Sequence, residues 1–147
     1  MIKRTIKQFT LNKSERLKKR TAIDRLFKEG RSFSIYPFKV VYFFKPLSTD
    51  SSEKEETLKE FSSLKFGVSV SKRNFKKAVF RNRIKRLMRE AYRVEKFELS
   101  ESLKTKENIG LEVFFIYTGK ELPLFTFVQE KMKNIVQRLL QEIEKRP

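Results

Sequence analysis

The apolar positions divide the chain into short periodic segments separated by polar stretches. From Thr21, Ile23, Leu26 and Phe27 recur at i, i+3 and i+4, the stripe of a short amphipathic helix. Thr21 with Asp24 fits a capping box, Asp replacing Glu, and Gly30 supplies a stop. Residues 38–45, FKVVYFFK, are rich in aromatic and β-branched side chains and predict a strand that Pro46 ends. Positions 40–44 do not alternate, so either face of that strand can be the buried one. Residues 65–71, KFGVSVS, alternate cleanly: Phe66, Val68 and Val70 on one face, Lys65, Gly67, Ser69 and Ser71 on the other. Two readings fit that small polar face: a hollow for a ligand, or a plain solvent face of a two-layer fold.

After Asn74, Phe80, Ile84, Leu87, Ala91 and Val94 recur at helical spacing and predict a helix packed on a core. Residues 95–110 are polar and read as a connection. Residues 111–118, LEVFFIYT, predict a strand closed by Gly119. Pro123 then introduces a last helix, whose stripe runs through Phe125, Val128, Met132, Ile135, Val136, Leu139, Leu140 and Ile143. The order helix, strand, strand, helix, strand, helix predicts an α+β fold: a single two-layer α/β sandwich with one small mixed sheet. The strand–helix–strand unit over residues 65–118 makes two parallel strands.

The 147 residues suit one domain. Residues 1–16 read as a basic flexible arm. Residues 46–63 read as an acidic loop insertion, with five acids against two lysines. The formal net charge is +17, which points to nucleic acid first and anionic membrane second. There is no Cys and no His. That removes thiolate nucleophiles, imidazole bases and the usual zinc sites. The acids form no pair at catalytic spacing, so no catalytic residue and no metal ligand is assigned. No apolar run reaches spanning length and no secretory signal is evident, which makes the cytoplasm the expected location.

The charge concentrates in residues 72–93, where ten of 22 residues are Lys or Arg and Glu90 is the only acid. Opposite the apolar stripe lie Asn82, Lys85, Arg89 and Arg93, flanked by Arg81, Arg83 and Arg86. Like charges at i,i+4 oppose the helix by a few tenths, roughly, of a kcal/mol per pair. A polyanion relieves that repulsion. A solvated surface helix is the plain alternative, but such faces usually mix signs. A DNA reader needs a partner helix or a dimer, and neither is evident. A membrane-surface helix needs a free apolar face, and this stripe is committed to the core. The remaining rival is a ribosomal or other structured-RNA-binding protein.

Residues 77–90, KAVFRNRIKRLMRE, carry an Arg-Asn-Arg helix led by GVSVSKR at 67–73. With Arg16-Leu17-Lys18, Leu26-Phe27 and Gly30 upstream, the chain resembles the bacterial ribonuclease P protein family over about residues 11–145. The 46–63 loop is longer than that family's usual one, and the N-terminal arm extends beyond its usual start. The resemblance implies an αβββαβα-like sandwich, the architecture of the second domain of ribosomal protein S5, with a left-handed βαβ crossover. It implies a non-catalytic RNA-binding subunit of a ribonucleoprotein endoribonuclease that hydrolyses the 5′ leader from precursor tRNA. The chemistry then belongs to Mg²⁺ at the catalytic RNA, with no cofactor held by protein side chains. Partners are that RNA, in a 1:1 holoenzyme with a monomeric protein, and precursor tRNA with a single-stranded leader. Candidate RNA contacts are Lys72, Arg73, Lys77, Arg81, Asn82, Arg83, Lys85, Arg86 and Arg89. Candidate leader contacts are Phe27, Phe38 and Tyr42. Phe27 has a plain alternative role, pinning its helix to the sheet.

Overall fold

The computed structural model describes residues 15–46, 64–106 and 109–146. Elements run in the order α1 (Arg20–Glu29), β1 (Arg31–Ile35), β2 (Phe38–Pro46), β3 (Leu64–Val70), α2 (Ala78–Lys104), β4 (Ile109–Tyr117) and α3 (Phe125–Glu144). The sheet order is β1-β2-β4-β3. β1 and β4 each pair antiparallel with β2, and β3 runs parallel to β4. The α+β sandwich and its parallel pair are therefore as the pattern predicts.

Alternation in the strands builds two unequal layers. Phe38, Val40 and Tyr42 of β2, Phe66 and Val70 of β3, and Leu111, Val113 and Phe115 of β4 point to one side. There they meet Ile84, Met88 and Tyr92 of α2 and Val128, Met132, Ile135 and Leu139 of α3. On the other side, Val41 packs with Leu17 and Leu26 under α1, with Phe43, Phe114 and Ile116 partly covered.

Four local expectations need correction. β1 is absent from the hydrophobic pattern, because RSFSI is short and polar, though the αβββαβα order implied by the resemblance includes it; Phe33 and Ile35 turn to the main core and pair across from Val40 and Phe38. α2 starts at Ala78 and continues to Lys104, so residues 95–104 are helix and not connection. Leu99 and Leu103 prolong its buried stripe, while the polar residues occupy the wet side. That stripe runs through Ile84, Met88, Ala91 and Tyr92. Leu87 is only partly buried, and Phe80 is exposed. The capping box does not form: Lys19 is the N-cap of α1 and no side chain caps it.

Gly30 ends α1 by close approach. A Cβ there would lie 2.5 Å from the Leu26 carbonyl oxygen and 2.7 Å from that of Tyr42. Pro46 is the last residue of β2, paired with Ile109. Of the basic arm, Glu15 and Arg16 are held in place. Arg16 bridges to Phe66, Leu17 N–H donates to the Phe66 carbonyl at 2.8 Å, and Lys96 Nζ pairs with Glu15 Oε1 at 2.5 Å. The rest of that arm and the body of the acidic loop lie outside the described residues.

Candidate nucleic-acid interface

The segment between β3 and α2 is tied down by its own polar groups. Asn74 Nδ2 donates to the carbonyls of Thr118 (3.1 Å) and Gly119 (3.2 Å). Phe75 is buried and its N–H donates to the Ser71 carbonyl. Arg81 Nη1 donates to the Phe75 and Lys76 carbonyls, each at 2.8 Å. A guanidinium that satisfies two loop carbonyls fixes the loop and keeps its positive charge there. Lys72, Arg73, Lys76 and Lys77 are exposed around this fixed turn.

Along α2, Asn82, Arg83 and Arg86 are exposed, and Arg81, Lys85 and Arg89 are half-buried. Burial lowers the Arg89 pKa, and the charge of Arg16 lowers it further. Arg16 also bridges the β3 edge at Phe66. Glu90 is engaged by Arg93, whose hydrogen bond holds the Glu90 carboxyl below its ordinary range.

Beyond that edge lies the half-covered sheet face. Phe27, 46% exposed, meets Phe114 edge-on at 5.2 Å between centroids. Gly67 makes room for that ring: a Cβ there would lie 2.5 Å from Phe114 Cε1. The Phe114 ring thus lies directly over Gly67, with Ser69 alongside on the same strand face. Glu112, buried on this face, faces Arg25 Nη2 at 3.6 Å, and Arg25 lies over the Phe43 ring at 5.4 Å. Lys65 has its pKa lowered by burial and then by neighbouring Lys45, while Glu112 opposes the shift.

The structure does not bring the three leader candidates together. Phe38 and Tyr42 are buried in the main core, on the opposite side of the sheet from Phe27. Phe38 packs on Tyr117 at 5.3 Å, and Tyr42 on Phe33 and Phe44. The register of β2 places even-numbered side chains inward, a choice the unbroken apolar run left open. Burial and then Glu142 raise the Tyr42 pKa. The ring that meets Phe27 is Phe114, which shares its strand face with Ile116. In the apolar run of β4 the one charged residue, Glu112, was the signal that marks this face.

Among the described residues no group of three or more acids could hold a metal ion. None of the described helices is long and apolar enough to cross a membrane. The arrangement places exposed cations on the 72–77 turn and α2, and a partly exposed aromatic pair, Phe27 and Phe114, on the α1 side of the sheet.

Residues 11–141 match the family model described as Ribonuclease P. The chain is 40% identical over 131 residues to the Ribonuclease P protein component of Porphyromonas gingivalis, covering 89% of this chain and 87% of that one. It is 31% identical over 140 residues to the Ribonuclease P protein component of Chlorobium phaeobacteroides, covering 88% of each. Among solved structures, the Staphylococcus aureus RNase P protein at 2.0 Å superposes with a TM-score of 0.58 at 23% identity. That match covers 85% of this chain and 94% of the other, and supports the fold alone.

Proposed function

The chain belongs to the ribonuclease P protein family, and from that premise we infer how its two surfaces share the work of the holoenzyme. The protein is the RNA-binding subunit of ribonuclease P, the endoribonuclease of tRNA 5′ maturation. It works with the ribonuclease P RNA. The fixed 72–77 turn and the outer face of α2 bind that RNA through Lys72, Arg73, Lys77, Asn82, Arg83, Lys85, Arg86 and Arg89. Arg81 contributes charge while holding the turn. The partly exposed aromatic face of Phe27 and Phe114 takes the single-stranded 5′ leader of precursor tRNA. An unpaired base there stacks on a ring. Phe38 and Tyr42 support this face from beneath and touch no RNA.

One observation carries the reading: Lys72, Arg73, Lys76, Lys77, Arg83 and Arg86 are exposed on one fixed turn and the helix that follows it. Mg²⁺ held by the RNA would supply the chemistry of cleavage, in keeping with a protein that has no His and no Cys. The whole chain acts as one RNA-binding domain, a monomer in a 1:1 holoenzyme in the cytoplasm.

The test mixes the protein with the ribonuclease P RNA and precursor tRNA at low Mg²⁺. Faster 5′ processing is expected, because added cations replace part of the counterion requirement. An unchanged rate rejects the assignment.

A further inference from the structure

Exposed large apolar side chains are not scattered over this molecule. Seven are exposed among the described residues, and Tyr36, Phe80, Leu122, Leu124 and Phe127 gather at one end of the sheet. They line two adjoining hollows of about 610 and 570 Å³, which share Lys120, Glu121 and Leu122. Tyr36 is 74% and Leu124 75% exposed, so neither is held there by the core. This end shares no residue with the Phe27–Phe114 pair: it is built from the β1–β2 turn, the start of α2 and the β4–α3 connection.

The rim is cationic. Arg73, Lys76, Lys77 and Lys120 line the hollows against one acid, Glu121. Lys131 Nζ lies over the Phe127 ring at 5.5 Å. The backbone beneath is fixed, since Asn74 and Arg81 bind its carbonyls and Tyr117 Oη donates to the Glu121 carbonyl at 2.7 Å. A rigid apolar floor with a cationic rim fits unstacked nucleobases, whose faces are apolar and whose phosphates are anionic. An apolar protein partner would not call for this excess of positive charge.

We propose that this end of the sheet is a second stacking site, where unpaired bases of the ribonuclease P RNA lie on Phe80 and Tyr36. The proposal rests on the assignment above and adds a contact that is aromatic, separate from the Phe27–Phe114 pair and continuous with the cationic turn. Stacking releases no counterions, whereas phosphate contacts do. The two therefore separate in a salt series.

The experiment measures binding of the full-length protein to the ribonuclease P RNA from low to high salt. The variants are Phe80→Ala, Tyr36→Ala, Phe80→Tyr, Phe80→Leu and Lys77→Ala. Each aromatic-to-Ala change is expected to weaken binding about 5- to 150-fold with the salt slope unchanged. Phe80→Tyr restores affinity and Phe80→Leu does not, because the contact needs a ring face. Lys77→Ala lowers the slope. The loss is the same for precursor tRNA with long or short leaders. Ala variants that bind as wild type overturn the proposal. So does full rescue by Phe80→Leu, which marks plain apolar burial, or sedimentation showing that wild type self-associates through this end and the Ala variants do not. Wild type that fails to bind this RNA overturns the family-based assignment together with the proposal. Wild type that binds while the Ala variants match it overturns the proposal alone.

Discussion

The two faces of one sheet are covered unequally. Towards α2 and α3, the side chains of β4 are sealed: Leu111, Val113 and Phe115 are essentially inaccessible. Towards α1, alternate residues of the same strand, Phe114 and Ile116, are only partly covered. α1 spans ten residues and α2 spans 27, so the short helix leaves part of its face bare. The closed core therefore lies on one side, and the partly covered aromatic residues lie on the other. A residue's chemical type does not tell which side it serves: Phe115 belongs to the first and Phe114 to the second.

The largest expected effect tests the sealed side. Ile84→Ala or Met88→Ala should destabilise the fold by about 2–5 kcal/mol, since each leaves a cavity in a close-packed core. Urea melts measure it. Phe27→Ala should be far milder in the same melts; a loss equal to that of Ile84→Ala would make the two faces structurally equivalent.

The next effect tests the open side. Phe27→Ala should weaken holoenzyme binding of precursor tRNA with a leader of several nucleotides by about 1–3 kcal/mol. Mature tRNA should bind nearly as before. Gly67→Ala should act in the same direction, because the new methyl displaces the Phe114 ring. A deficit independent of leader length would assign Phe27 to pinning α1 alone.

A smaller effect separates the cations. Lys85→Ala and Arg83→Ala should each reduce the salt slope of RNA binding by about 0.7–0.9 with little change in melts. Arg81→Ala should reduce the slope and also lower stability, because two loop carbonyls lose their donor. Identical melts for Arg81→Ala and Arg83→Ala would remove the structural role given to Arg81.

The smallest effect concerns alkaline pH. Burial, then Glu15, raises the Tyr92 pKa well above its ordinary value near 10. The folded state thus holds the phenolic proton more tightly than the unfolded chain does. Its contribution to stability is intact below about pH 10 and falls as pH rises further. Tyr92→Phe should flatten that fall in melts from pH 8 to 11. The Tyr92 hydroxyl has no hydrogen-bond partner among the described residues, so the substitution should be nearly neutral at pH 7.

Periodicity and charge were enough to determine the class of fold, three helices, three of the four strands and the cationic helix. Those signals are local: one buried stripe and one run of like charge are visible within a few turns. The Arg-Asn-Arg helix also carried the family. The sequence left open what depends on partners distant in the chain. β1 is a strand because β2 pairs with it, and residues 95–104 stay helical because Leu99 and Leu103 find the core. The register of β2 put Phe38 and Tyr42 inside, since a continuous apolar run is compatible with either face until both sides are packed. The rotation of α2 exchanged Leu87 for Met88, a shift of one residue that only the neighbouring α3 and β3 surfaces select. Arg81 looked like its neighbours in sequence and became a loop anchor because the Phe75 and Lys76 carbonyls turn towards it. Local patterns state which residues want to be buried or charged; tertiary packing decides which of them meet.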